Sequence, residues 1–111
     1  MSVFVRTKAP KQLLENIQKG IDENKIRTWE YDRDGDFTYL AEQYARQAWL
    51  TPIIQSEGVA FGIIGVKGQK MGADIYAIYH GRFIQMLLEH FDTTIQFASA
   101  SALPDKNDQI G

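Results

Sequence analysis

Cysteine is absent from the chain, which removes disulfides, thiolate zinc sites and cysteine nucleophiles from consideration. Histidine is nearly as scarce, with His80 and His90 the only 2. An excess of positive charge is missing too. With 12 Lys and Arg against 14 Asp and Glu, the net charge is −2 and the pI about 5.6. A protein held to nucleic-acid phosphates or anionic lipid carries the opposite balance. Neither nucleic acid nor a membrane surface is therefore an expected partner. No run approaches the ~18 apolar residues of a membrane span. The opening MSVFVRTKAP meets Arg6 and Lys8 too early for a signal peptide. The expected location is the cytoplasm.

What is present is ordinary globular material: 44% apolar and 23% charged residues over 111 positions, enough for one core but not two. No internal repeat or low-complexity linker divides it. A single domain over 1–103 is expected, with a frayed tail over 104–111.

SVFVRT (2–7) is short, β-branched and aromatic, and reads as a strand. Pro10 suits a helix's first turn, where its missing N–H costs nothing. Leu13, Leu14, Ile17 and Ile21 then form one apolar stripe, and Asn24 suits the end. KIRTWEYD (25–32) is strand-like, and an Asp-Gly turn leads into DFTYL. A short helical piece is expected over 41–47. AWLTPII (48–54) and VAFGIIGVK (59–67) flank a polar hairpin loop; Pro52, unable to donate to a ladder, puts the first at an edge or a bulge. TTIQFASA (93–100) closes the list of strands. The expected fold class is α+β: a single antiparallel or mixed sheet of five to six strands with two main helices on one face, a ferredoxin-like βαββαβ variant.

YAIYHGRFIQMLLEHF (76–91) is the densest stretch. Tyr76, Tyr79, His80, Phe83, Ile84, Leu87, Leu88 and Phe91 recur at helical spacing, with Asp74 a candidate N-cap. On such a helix His80 points inward, Gly81 lies at the stripe's edge where a strand or helix can approach, and Arg82 faces water. His80 and Arg82 cannot converge on one small ligand. Two readings of His80 stand. In the first, its ring nitrogens bond a backbone carbonyl or a Tyr hydroxyl in the packing. In the second, it lines a pocket with Tyr76 or Tyr79 as a further proton-handling group.

DRDGDFTYLAEQ (32–43) sets Asp32, Asp34 and Asp36 at the first, third and fifth positions of a calcium loop. Two departures oppose that reading. Phe37 stands where the sharp turn requires glycine, and Gln43 where a bidentate glutamate is required. An acidic β-turn explains the same residues, and no metal is expected there. The aromatic set containing Trp29, Tyr31 and Trp49 offers a surface for a planar ligand, or simply core. GVKGQKMG (65–72) lacks the phosphate-loop order, and no Ser sits in a nucleophile elbow.

TWEYDRDGDFT, AWLTP and YAIYHGRFIQMLLEHF together resemble short bacterial proteins without an assigned activity, including ones carried on mobile, integron-type gene cassettes. That resemblance implies no catalytic residue and no cofactor. The expectation from the residues is a small binding or interaction module that self-associates, as a homodimer or otherwise, through a strand edge or the uncovered sheet face, with a small molecule or another protein as a further possible partner. The alternative is a small cofactor-free enzyme or metabolite binder with a pocket at His80.

Overall fold

Val3 and Val5 are fully buried while their neighbours Phe4 and Arg6 are not. That two-residue period makes β1 (Val3–Arg6), the first strand of the computed structural model, which describes residues 3–100 and 102. The expected tail over 104–111 lies outside the described residues. Pro10 opens α1 (Pro10–Asp22), which buries Leu13 and Ile17 and packs Leu14 and Ile21 against the same core. Asn24 ends it in the left-handed region at φ 61°, a conformation Asn tolerates just past a helix. Gly20 has a reason beyond weakening the last turn. A Cβ there would stand 2.8 Å from the Ile26 Cδ1, so its absence lets Ile26 fold back beneath the helix end.

The other strands are β2 (Trp29–Tyr31), β3 (Phe37–Tyr39), β4 (Ala48–Gln55), β5 (Gly58–Gly65) and β6 (Phe97–Ala100), with α2 (Ala73–Phe91) between the last two. They form one six-stranded sheet in the order β2-β3-β4-β5-β1-β6, antiparallel throughout. The α+β class and the single sheet are therefore as expected. The two crossovers, β1-α1-β2 and β5-α2-β6, are consistent with a ferredoxin-like plan enlarged by extra meander strands.

Several local expectations are corrected. The strand over 25–32 contracts to three residues, because Ile26 leaves the sheet to cap the core under α1. The helical piece over 41–47 is a single 3₁₀ turn, Glu42–Tyr44. β4 is not an edge strand: it lies between β3 and β5, and the sheet edges are β2 and β6. Pro52 is accommodated because β3 pairs with β4 only at Phe37–Leu50 and has ended before Pro52 is reached. The N-cap of α2 is Gly72, not Asp74; Asp74 sits in the first turn, where its charge favours the helix dipole.

Both helices cover one sheet face. Residues from each join Val3, Val5, Phe37, Leu50, Phe61 and Ile63 in a single core cluster. Its centre is aromatic: Phe83 of α2 lies 4.6 Å from Phe61, tilted by 58°, and 5.0 Å from Trp29, edge-on at 76°, centroid to centroid, the latter an arrangement rings favour. Among the described residues no helix is long and apolar enough to cross a membrane.

Candidate functional site: the hollow beside His80 and the bare sheet face

Two parts of the fold carry surface that packing leaves unexplained. The first lies beside α2. His80 is 4% exposed, and its Nδ1 lies 2.7 Å from the Tyr76 carbonyl oxygen. A carbonyl only accepts, so Nδ1 is the donor in this bond. The imidazole also stacks on the Tyr76 ring at 4.0 Å and 28°. The packing reading of His80 is thus present in the structure, with a backbone carbonyl as partner.

The pocket that the second reading requires is present as well. A hollow of about 670 Å³ opens between α2, the loop at Met71–Gly72 and the end of β6, and His80, Tyr76, Ile84 and Ala100 help to line it. Its volume is that of a ligand site. The described residues lining it include no Asp, Glu, Lys, Arg, Ser or Thr, so its polar side chains are those of His80 and Tyr76. Tyr79, the other candidate proton handler, is elsewhere. Its hydroxyl donates to the Tyr44 carbonyl at 2.6 Å and accepts from the Gln47 N–H at 2.9 Å, tying α2 to the β3–β4 connection.

Gly81 departs from expectation. The predicted close approach of a strand or helix is not there, and a Cβ at this position would meet nothing within 4 Å. It opens onto the hollow instead. Arg82 faces solvent as predicted, and heads a polar ladder in which it donates to Gln85 and Gln85 to Glu89, at 2.8 and 2.9 Å.

The acidic turn does bring its three carboxylates together. Oxygens of Asp32, Asp34 and Asp36 lie within 4.8 Å of one another. Their geometry is nevertheless that of a turn. Asp32 Oδ1 accepts the backbone N–H groups of Asp34 and Asp36 at 3.0 Å each, and Gly35 supplies φ 83°. Phe37 is fully buried as the first residue of β3, so the chain has already become a strand where a calcium loop would still be turning. Partial burial pushes the Asp36 carboxyl above its usual range, aided by the charges of Asp32 and Asp34 and opposed by a hydrogen bond from Thr51.

The aromatic candidates do not converge. Trp29 is 1% exposed within the core. Tyr31 sits at the β2 edge, where its hydroxyl donates to Asp22 at 2.8 Å; that bond, followed by burial and the Asp22 charge, raises its pKa. Trp49 points to the opposite face of the sheet, between the core-facing Ala48 and Leu50.

That opposite face is the second unexplained surface, and neither helix covers it. Phe4 of β1, Trp49 of β4 and Ile64 of β5 stand next to core residues in their strands, and these three and Ile53 of β4 are only half-buried. Phe97 of the edge strand β6 is 46% exposed and pairs with Phe4 at 6.3 Å. Between these ridges the outward positions of β5 are Gly58, Ala60 and Gly62, a shallow floor. Large apolar side chains dominate the face over β4, β5, β1 and β6, with Thr51, Gln55, Arg6 and Ser99 set among them. At β2 it turns polar, where Arg46 bridges to Glu30 at 2.9 Å. Nothing in the spacing of single strands advertised this continuity, which depends on the strand order. No protein-family model matches the chain, nor does any curated protein or solved structure.

Proposed function

We propose that this chain is a small interaction module that self-associates, two copies packing the bare faces of their sheets together. The observation that carries this reading is the uncovered face bearing Phe4, Trp49, Ile53, Ile64 and Phe97. A cluster of five large apolar side chains on one uncovered sheet face is what a monomer rarely leaves in water. The four strands β4, β5, β1 and β6, at ~4.8 Å spacing, span roughly 14 Å between the outer strand axes, which gives a compact interface toward the small end of the usual range. The flat β5 floor suits face-to-face sheet packing at about 10 Å. A cytoplasmic setting, and the likeness to short cassette-borne bacterial proteins, belong to the same reading.

The alternative of a metabolite-binding or catalytic pocket at His80 has the hollow in its favour. Against catalysis stand the Nδ1 bond to Tyr76 and the absence, among the described lining residues, of a carboxylate to orient the ring or a nucleophile to use it.

Light scattering tests the sheet-face contact. The unaltered chain is expected to run as a dimer or larger, and Phe97→Glu, at a position already half in water, to shift it at least tenfold toward smaller species with its circular dichroism unchanged. A unaltered chain that stays strictly monomeric at high concentration overturns the reading.

A further inference from the structure

α2 has three sides. One side, with Tyr79, Phe83, Met86 and Leu87, is buried in the core. A second carries the polar ladder of Arg82, Gln85 and Glu89. The third is apolar and bare: Ala73, Ala77 and Gly81 are exposed, Ile84 is half-buried, and Leu88 is 54% exposed. At ~100° per residue these five fall within about 80° of the helix circumference. They form one continuous stripe, and its first four members border the hollow beside His80.

The geometry points to a second copy of this chain as the occupant of that stripe, its own α2 lying antiparallel across a two-fold axis near Gly81. The residue sizes select this arrangement. The stripe is small toward its N-terminus and large toward its C-terminus, so an antiparallel pairing sets Leu88 of each copy on Ala73 of the other, and Ile84 on Ala77. The large side chains then enter the hollow that the small ones leave, and Gly81 allows close approach at the axis. A parallel pairing would stack large on large and leave the hollow unfilled.

Charge selects the same arrangement. Asp92 lies one turn past Leu88, and Lys70 lies two residues before the Gly72 cap; both are exposed. The antiparallel pairing places Asp92 of each copy against Lys70 of the other, and it opposes the two helix dipoles favourably. A parallel pairing would set like charges together.

This contact is separate from the sheet face and stands even if that face proves bare. At ~1.5 Å per residue the stripe is about 22 Å long and one helix wide, less than a standard interface provides. The association is therefore weak, and covalent trapping is the right probe. The chain's lack of cysteine gives a clean background.

The experiment uses the full chain carrying Phe97→Glu, so that sheet-face packing does not contribute. Gly81→Cys under mild oxidation is expected to give mostly disulfide-linked dimer, because two-fold symmetry brings the site to itself within the reach of an S–S bond. Arg82→Cys, one residue round and facing solvent, is expected to cross-link at least tenfold more slowly. In the Gly81→Cys chain, Lys70→Glu or Asp92→Lys alone should slow trapping severalfold, and the two together should restore it. Equal trapping of the two cysteines, or no restoration by the charge swap, overturns the proposal. So does a chain that fails to cross-link while the neutral dye N-phenyl-1-naphthylamine binds the hollow, which would assign it to a small apolar ligand.

Discussion

Along α1 every large apolar residue is used: Leu13 and Ile17 are buried, Leu14 and Ile21 pack against them, and the outward positions are polar, with Gln12 donating to Asn16 at 2.9 Å. α2 rests on the same sheet face and has apolar residues left over. Its core side is centred on Tyr79 and Phe83 and takes in Met86, while Leu88, of the same size class as its buried neighbour Leu87, is half in water. A helix with one narrow stripe has its rotation dictated by its own sequence. A helix apolar over a wide arc is rotated by whichever side chains best fit the sheet, and here the aromatic ones win. The surplus faces outward.

The largest expected effect sharpens this contrast within α2. Phe83→Ala removes a fully buried ring that touches Trp29, Phe37 and Phe61, and should cost about 3–5 kcal/mol in urea unfolding. That is a large part of the roughly 5–15 kcal/mol a domain of this kind holds. Leu88→Ala, measured at concentrations where the chain is monomeric, should cost under about 1 kcal/mol. Comparable losses at the two positions would mean that α2 is rotated from the orientation described.

That rotation was the least legible feature of the sequence. The element order, both helices, the Asp-Gly turn and the inward direction of His80 follow from spacing and turn chemistry acting over a few residues. The predicted stripe of α2 included Leu88 and omitted Met86, because helical periodicity defines an arc but not its centre when the arc is broad. Strand order is a matter of pairings distant in sequence, so the interior place of β4 and the continuity of the bare face were beyond reach. Pro52 signalled a missing partner correctly, but the signal was local to one residue of the strand. The hollow beside His80, and the place of Gly81 at its border, depend on where the end of β6 stands beside α2, which helical spacing does not carry.

The middle effect contrasts two tyrosines. The Tyr79 hydroxyl is buried and bonds the chain at Tyr44 and Gln47, so Tyr79→Phe leaves the part-buried Gln47 N–H and Tyr44 carbonyl without that partner and should cost about 1–3 kcal/mol. The Tyr31 hydroxyl bonds Asp22 at the surface, and Tyr31→Phe should leave the unfolding midpoint unchanged. Equal shifts would show that the β3–β4 connection is not held by α2.

The smallest effect returns to the two helices through their glycines. Gly81 stands inside α2 with open space where its Cβ would be. Alanine there restores helix propensity with nothing to displace, so Gly81→Ala should stabilise the monomeric chain by about 0.5–1 kcal/mol. Gly20 stands inside α1 with the Ile26 side chain against it at 2.8 Å, and Ile26 is buried. The same propensity gain in Gly20→Ala must then be set against pushing Ile26 out of its place, and the net change should fall near zero or below. Urea midpoints of the two variants decide the matter. An equal gain at both positions would show that Ile26 yields freely and that Gly20 has no packing role. A gain at Gly81 alone separates a glycine used by the fold from one the monomer has no use for, the residue expected where a second molecule must come close.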